Sequence, residues 1–158
     1  MLGGVGVGKT SLVKRFLTGM FSENYHTTMG VKIDQKSLDV HKRDVLLVLW
    51  DLYGEDDFQN IRPTHLQGAS GYVLVIDGTR QETVTIASQL HDLAHKVIGE
   101  VPFVLMVNKQ DLVQDWEVDS SMIEHLIAEA SIVLNTSAKT GEGVEQAFME
   151  LAKQMVET

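Results

Sequence analysis

The chain has 158 residues, 44% of them hydrophobic, which suits one globular domain spanning residues 1–158. Its 22 acidic and 13 basic side chains give a net charge of −9, which argues against binding to nucleic acid or to anionic lipid. The absence of cysteine excludes disulfides and thiolate metal sites, and no lipid anchor is encoded in these residues. With no signal-peptide pattern and no apolar run long enough for a membrane span, we expect a cytoplasmic protein.

The first element is a glycine-rich segment at residues 3–10, with the sequence GGVGVGKT. It matches the pattern G-x-x-x-x-G-K-[ST] of a phosphate-binding loop in full. Its glycines let successive backbone N–H groups turn toward phosphate oxygens, at the positive end of a helix that begins near Lys9. Lys9 is expected to reach the β- and γ-phosphates, and Thr10 to offer its hydroxyl to Mg²⁺. This pattern alone does not choose between ATP and GTP.

The chain before this loop is unusually short. A phosphate-binding loop normally follows a buried strand of about five or six residues, but only Met1 and Leu2 precede Gly3. Loss of a central strand would leave backbone groups of its neighbours unpaired in the core. We therefore expect a truncated first strand, which reflects a chain that naturally starts earlier, a true shortened variant, or a strand supplied from elsewhere.

Helical and strand-like patterns alternate over the rest of the chain. Helices are predicted around residues 12–17, 90–97, 122–127 and 144–155, the third capped by Asp119 or Ser120. Strands are predicted at residues 33–40, 45–50, 72–77, 102–108 and 132–136. The run at 45–49 is apolar on both faces, which predicts a strand covered on both sides. The alternation predicts an α/β fold with a mainly parallel central sheet, helices on both faces and a ligand site at the carboxyl ends of the strands.

The fourth of these strands ends in the tetrad NKQD, residues 108–111. The Asp111 carboxylate can accept two parallel hydrogen bonds from N1–H and the exocyclic amine of guanine, whereas adenine would leave it with an unpaired acceptor. Lys109 can pack the aliphatic part of its side chain against the purine face, and Asn108 can hold the neighbouring loops in place. After the last strand, the segment TSAK at residues 136–139 can present a backbone N–H to guanine O6. These segments favour guanine over adenine.

Together the phosphate loop and the base-reading segments resemble the Ras superfamily of small GTPases, and within it the Rab-like branch. Residues 28–31 resemble the first switch, residues 50–54 (WDLYG) the second, and residues 136–144 (TSAKTGEGV) the end motif of that branch. The resemblance implies a P-loop NTPase fold and a switch that hydrolyses GTP to GDP with Mg²⁺. It also implies effector, exchange and activating proteins that bind through residues 22–33 and 51–66.

The resemblance assigns roles that spacing alone does not. Thr28 would ligate Mg²⁺ through its hydroxyl and bond the γ-phosphate through its backbone. Asp51 would hold Mg²⁺ through a water, and the Gly54 N–H would touch the γ-phosphate. Phe21 would lie against the guanine, and Tyr25 would cover the phosphates.

Departures from the family pattern bear on hydrolysis. Glu55 stands where the family usually has the glutamine that orients the attacking water, and an ionised glutamate accepts hydrogen bonds but cannot donate them. Glu55 is equally well explained as an acidic residue at a helix N-terminus. Tyr53 and Val5 replace smaller residues, and the bulk of Val5 would crowd the transition state. We therefore expect slow hydrolysis, with a GTP-binding scaffold that has little or no turnover as the alternative.

The expected site can now be stated in full. For catalysis it comprises Lys9, Thr28, Gly54 and Glu55, and for Mg²⁺ it comprises Thr10, Thr28 and Asp51. Nucleotide binding is expected from Gly3, Gly6, Val7, Gly8, Lys9, Thr10, Ser11, Phe21, Tyr25, Thr28, Gly54, Asn108, Lys109, Asp111, Ser137, Ala138 and Lys139.

Two other features are less informative. His91 and His95 stand four residues apart on a predicted helix, a spacing that can ligate a metal, but without a third ligand pattern we expect exposed surface side chains. A small-nucleotide kinase is disfavoured because its lid would need clustered arginines, and the arginines of this chain are dispersed: Arg15, Arg43, Arg62 and Arg80.

Overall fold

The computed structural model describes residues 1–24, 30–52 and 61–158. Within these residues the elements are, in chain order, β1 (Leu2–Gly3), α1 (Lys9–Thr18), β2 (Val31–Val40), β3 (Arg43–Leu52), α2 (Pro63–Leu66), β4 (Tyr72–Asp77), α3 (Glu82–Ile98), β5 (Phe103–Asn108), α4 (Glu124–Glu129), β6 (Ile132–Asn135) and α5 (Val144–Glu157). Two 3₁₀ helices, Gln110–Asp115 and Ser120–Ile123, lie between β5 and α4. In the described part of the chain, no helix is long and apolar enough to cross a membrane.

The predicted helices and strands are present, with ends that differ by up to three residues, except that α3 begins at Glu82, eight residues before the predicted helix. The helical pattern at 122–127 is divided between the second 3₁₀ helix and α4. Asp119 caps this 3₁₀ helix as predicted, because its carboxylate accepts a hydrogen bond from the Met122 N–H at 3.2 Å. The short α2 and the first 3₁₀ helix were not predicted.

The strands form a parallel sheet and a separate hairpin. The parallel sheet has the order β1-β4-β5-β6, and β2 and β3 pair antiparallel. Leu2 is opposite Leu74 in the β1–β4 pair, and Tyr72 is opposite Phe103 in the β4–β5 pair. A mainly parallel sheet flanked by helices confirms the predicted fold class. The carboxyl ends of its strands meet at one edge, where the loops that carry the candidate site begin.

The two central strands are covered on both faces. All six residues of β4 and all six of β5 are buried. Val73 and Val75 of β4 belong to the core packed by α1 and α5, whereas Leu74 and Ile76 belong to the core packed by α3 and α4. Each such side chain contributes roughly 1.5–3 kcal/mol by burial. These strands therefore hold the loops at their carboxyl ends on a rigid support.

The prediction that the run at 45–49 is covered on both sides was wrong. Leu47 and Leu49 are buried in the core with α1 and α5, but Leu46 and Val48 are 56% and 48% exposed. Since β3 belongs to an antiparallel hairpin that packs by one face, its side chains alternate between core and surface. Apolar residues on both faces of a strand do not by themselves establish that both faces are covered.

The two-residue strand β1 lies between β3 and β4. Leu2 pairs with Leu74 on one side, and on the other side the Met1 amine donates a hydrogen bond to the Trp50 carbonyl at 2.8 Å. Beside Met1, β3 and β4 border a cavity of 460 Å³, whose lining includes apolar side chains of β3, β4 and α5. A groove between β3 and β4 thus lies next to the short strand β1.

In a chain of these 158 residues, the free amine at Met1 should make the stability of the nucleotide-free protein depend on pH. Burial lowers the pKa of this amine from 8.0 to about 5, the negative charge of Asp51 opposing the shift and the positive charge of Lys9 adding to it. Between pH 5 and pH 8 the unfolded chain therefore holds a proton that the folded chain lacks. The free energy of unfolding should rise with pH across this range, by at most roughly 4 kcal/mol, and level off above it.

Urea unfolding at a series of pH values, with EDTA present, measures this effect. The matched control is the same chain acetylated at its N-terminus. Its amide N–H can still donate to the Trp50 carbonyl but takes up no proton, so this rise should be missing while the titration of every other group is retained. Superimposable pH profiles for the two chains would contradict the burial of the amine.

The prediction that His91 is an exposed surface side chain was also wrong. His91 is buried: its Nδ1 shares a hydrogen bond of 2.7 Å with the Tyr72 hydroxyl, and its Nε2 donates to Glu129 at 3.1 Å. Both ring nitrogens therefore have partners, and the ring links α3 to β4 and α4. Within residues 1–24, 30–52 and 61–158, no group of three or more His, Asp or Glu side chains could hold a metal ion.

Candidate functional site

A cavity of 530 Å³ opens at the carboxyl ends of the parallel strands. The predicted nucleotide-binding residues that line it are Gly6, Gly8, Ser11, Phe21, Asn108, Lys109, Asp111, Ala138 and Lys139. The lining residues that were not predicted are Val5, Ser22, Glu23, Arg80 and Leu112. Of the other predicted nucleotide-binding residues that the structure describes, Val7, Lys9, Thr10 and Ser137 are immediate sequence neighbours of lining residues, and Gly3 ends β1 two positions before Val5. Segments far apart in sequence thus converge on one cavity.

Lys9 is a buried cation at the base of the phosphate loop. Lys9 is only 5% exposed, and its Nζ donates to the carbonyls of Gly3 at 2.8 Å and Gly4 at 2.9 Å. Burial lowers the pKa of Lys9 from 10.5 to about 8, although the charge of Asp51 opposes the shift. Neutral carbonyls compensate a buried ammonium only in part. The site therefore holds a positive charge for which an anion is the natural partner.

Glycine backbone and one amide side chain shape the loop between β1 and α1. Gly6 and Gly8 have φ of 69° and 101°, left-handed values that other residues adopt only at a cost. Asn108 Nδ2 donates to the Val7 carbonyl at 2.9 Å, and a Cβ atom on Gly8 would collide with that amide. In a trans peptide the N–H points opposite to the C=O. Fixing the Val7 carbonyl therefore also fixes the direction of the Gly8 N–H at the start of α1.

Thr10 and Asp51 come together from positions 41 residues apart. The Thr10 hydroxyl donates to Asp51 Oδ2 at 2.5 Å. Asp51 is completely buried, and its Oδ1 has no hydrogen-bond partner among the residues that the structure describes. A buried acceptor left in this state costs roughly 1–3 kcal/mol, and more when it is charged. A carboxylate and a hydroxyl so placed fit a hard, oxygen-preferring cation such as Mg²⁺.

The loop after β6 orients the tetrad at residues 108–111. The Ser137 hydroxyl donates to Asp111 Oδ1 at 2.7 Å and accepts from the Thr140 N–H at 3.1 Å. The Thr136 hydroxyl donates to Asn108 Oδ1 at 3.1 Å. Both ends of the tetrad are therefore tied to one neighbouring loop, and the carboxylate of Asp111 is held at the cavity.

Arg15 supports that same loop from α1, a role that sequence reasoning missed. Its Nε donates to the Ala138 carbonyl at 2.8 Å, and a second guanidinium nitrogen donates to the Lys139 carbonyl. Arg15 and Ala138 are 123 positions apart. No local pattern marks a contact of this kind, because it depends on how α1 packs against the loop.

Asp77, at the carboxyl end of β4, is a second residue that sequence reasoning missed. It is completely buried, and its Oδ2 accepts from Lys109 Nζ at 2.8 Å and Arg80 Nε at 2.9 Å. Its Oδ1 accepts from the Thr79 N–H at 2.9 Å and the Thr79 hydroxyl at 2.7 Å. Burial alone would raise the pKa of the Asp77 carboxyl, but these hydrogen bonds outweigh burial and lower it. An ionised Asp77 therefore holds Lys109 and Arg80 at the cavity.

Several predicted residues lie outside the described part of the chain. They are Tyr25, Thr28, Gly54 and Glu55. Parts of the predicted partner surfaces at 22–33 and 51–66 also lie outside it. The roles predicted for these residues remain predictions.

Comparison with known proteins gives consistent matches. The model of the Ras family matches residues 1–157. Ras-related protein Rab-4A of Rattus norvegicus is 32% identical over 158 residues, which cover 99% of this chain and 72% of that protein. GTP-binding protein ypt1 of Schizosaccharomyces pombe is 31% identical over 159 aligned positions, which cover 99% of this chain and 78% of that protein. These matches include every segment that lines the cavity.

Proposed function

This chain belongs to the Ras family, within which it is a Rab-like GTPase, and we propose that it is a magnesium-dependent switch with slow turnover. The observation that carries this proposal is that two groups line one 530 Å³ cavity. They are the carboxylate of Asp111 and the glycine-rich loop whose carbonyls contact the buried cation Lys9. A glycine-rich loop beside a buried cation at one end and a carboxylate at the other suit a ligand that carries phosphates on one side and hydrogen-bond donors on the other.

The base end of the cavity suits guanine. Asp111, oriented by Ser137, accepts hydrogen bonds from the N1–H and exocyclic amine of the base. The backbone N–H of Ala138 donates to O6, in a loop that Arg15 holds in place. Phe21 and Lys109 line the same cavity and cover the faces of the ring.

Equilibrium binding of GTP, GDP, ATP and XTP, with Mg²⁺ present, tests this assignment. Guanine nucleotides should bind at least roughly 100-fold more tightly than ATP, because adenine leaves the carboxylate of Asp111 without a donor. Equal affinity for GTP and ATP, or no binding of either, would overturn the proposal.

The phosphate end suits a triphosphate with Mg²⁺. The amides of Gly6 and Gly8 and the ammonium of Lys9 bind the phosphate oxygens, while Thr10 and Asp51 hold Mg²⁺ together with Thr28. Mg²⁺ held by these residues would supply positive charge against the charge that develops on the phosphates during hydrolysis. This assignment is supported by the unpartnered Oδ1 of Asp51 and by its contact with Thr10.

Hydrolysis joins a water oxygen to the γ-phosphorus and breaks the bond from that phosphorus to the β–γ bridging oxygen. The water gives up its protons to phosphate and solvent. Lys9 and the loop amides stabilise the charge on the leaving oxygen. Gly54 contributes its N–H at the γ-phosphate, and Glu55 takes the place of the side chain that orients the water. Because Glu55 cannot donate a hydrogen bond while ionised, the chemical step is slow.

Glu55→Gln should raise the rate of single-turnover GTP hydrolysis by roughly tenfold or more, since a glutamine can both accept from the water and donate to phosphate. The measurement is the rate of phosphate release from preloaded GTP with Mg²⁺. The matched control is Asp56→Asn, which removes a neighbouring negative charge.

Two outcomes would count against the assigned role of Glu55. An unchanged rate in Glu55→Gln would show that this side chain does not position the water. An equal acceleration in Asp56→Asn would assign the effect to the general negative charge of this segment. A rate near zero in both, with tight GTP binding, would favour the GTP-binding scaffold.

The proposed partners are effector, exchange and activating proteins, which would bind through residues 22–33 and 51–66. Ile33 and Trp50 lie within or beside these ranges and are 55% and 42% exposed. The net charge of −9 supports protein partners over nucleic acid or an anionic membrane surface.

A further inference from the structure

Arg80 makes a bridge between the loop after β4 and the phosphate loop. Its Nε donates to Asp77 Oδ2 at 2.9 Å, and its Nη2 donates to the Val5 carbonyl at 2.7 Å. Val5 and Arg80 are 75 positions apart. The planar guanidinium keeps Nε and Nη2 in fixed relative positions, so it can direct hydrogen bonds to two acceptors at once. A lysine ammonium lacks this directional control.

This bridge fixes the peptide between Val5 and Gly6. Because the C=O and N–H of a trans peptide point in opposite directions, holding the Val5 carbonyl sets the direction of the Gly6 N–H. Asn108 does the same for Gly8 through the Val7 carbonyl, at 2.9 Å. Gly6 and Gly8 both line the cavity. Two side chains, Arg80 in the loop after β4 and Asn108 at the end of β5, thus direct the amides of Gly6 and Gly8.

The same carboxylate oxygen that anchors Arg80 also anchors the base-reading tetrad. Asp77 Oδ2 accepts from Lys109 Nζ at 2.8 Å and from Arg80 Nε at 2.9 Å. Asp77 is completely buried and receives two further hydrogen bonds from Thr79, so its position is fixed independently of either cation. The phosphate end and the base end of the cavity therefore share one anchoring atom.

We propose that Arg80 is a positioning residue for phosphate binding, which acts by directing the Gly6 N–H. Asp77 couples Arg80 to Lys109, which lies at the end of the cavity assigned to guanine. This inference rests on the proposed nucleotide site. It predicts different effects for the two residues: loss of Arg80 weakens recognition of the phosphates only, whereas loss of the Asp77 charge weakens recognition of phosphates and base.

Binding of guanosine, GMP and GDP to matched variants tests this, measured by calorimetry with Mg²⁺ present. Arg80→Ala should weaken GDP binding roughly tenfold, through loss of a charge-assisted hydrogen bond, and speed GDP release in proportion, while guanosine binding is unchanged. Arg80→Lys should resemble Arg80→Ala, because lysine cannot reproduce the two-pronged contact. Asp77→Asn should weaken guanosine binding, which Arg80→Ala leaves unchanged, and should weaken GDP binding further still, because GDP loses the phosphate contribution as well.

Arg43→Ala is the control, since Arg43 is an exposed arginine at the start of β3, away from the cavity. It should bind all three ligands as the unmodified chain does. Equal weakening of guanosine and GDP in Arg80→Ala, or full recovery of GDP binding in Arg80→Lys, would overturn the positioning role. Failure of the unmodified chain to bind GDP would instead overturn the nucleotide site itself, so the two failures are distinguishable.

Discussion

Replacing Asp111 by asparagine should lower the affinity for GTP by roughly 100- to 10,000-fold and make XTP the better ligand. The substitution exchanges one carboxylate oxygen for an NH₂ group, which then faces a guanine donor. Xanthine carries a carbonyl where guanine has its exocyclic amine, so it can accept from that NH₂ group. The remaining side-chain oxygen of the asparagine can still accept from the Ser137 hydroxyl, which in the unmodified chain donates to Asp111 Oδ1 at 2.7 Å. The loop should therefore keep its shape while its preference changes.

The matched control is Asp115→Asn, which makes the same chemical change on the same 3₁₀ helix at an exposed residue that does not line the cavity. Equilibrium binding of GTP and XTP to both variants is the measurement. Asp115→Asn should bind GTP as the unmodified chain does. A large loss of GTP affinity in Asp111→Asn without any gain for XTP would mean that Asp111 shapes the loop but does not read the base.

The parts of the site that the sequence predicted well are those formed by local geometry. The phosphate loop is one continuous segment, in which glycines at set positions permit the positive φ of Gly6 and Gly8. The tetrad at 108–111 begins with the last residue of the buried strand β5, so its position at the carboxyl edge of the sheet follows from the fold class. In both segments, the residues expected to contact the nucleotide are neighbours in sequence.

The parts that the sequence did not predict depend on contacts between distant segments. Arg80 was read as one of several dispersed arginines, yet it meets Val5 because the loops after β1 and β4 leave neighbouring parallel strands. His91 was expected at the surface, because its helical pattern does not reveal that Tyr72 and Glu129 can satisfy both of its ring nitrogens. The exposure of Leu46 likewise depends on which face of the hairpin the helices cover.

Lys9→Met should weaken GDP and GTP binding by roughly 100-fold or more, because the phosphates lose a charge-assisted hydrogen-bond donor inside a buried site. Methionine has a similar length and no charge, so it fills the space left by a residue that is 5% exposed. Guanosine, which lacks phosphate, should bind both chains equally. Lys14→Met, at an exposed position on the same helix, is the matched control. Equal weakening of guanosine and GDP would show that the substitution damages the fold rather than phosphate binding.

The pH dependence of GDP binding provides a second test of the same ammonium. Burial lowers the pKa of Lys9 to about 8 in the chain without nucleotide, and a bound phosphate would raise it again. Above pH 8, GDP binding must therefore be accompanied by proton uptake, so the affinity should fall as the pH rises. Lys9→Met cannot take up this proton, and its weaker affinity should not show this fall. Parallel pH profiles for the two chains would contradict a buried, titrating Lys9, because only the unmodified chain carries the ammonium that the phosphates recharge.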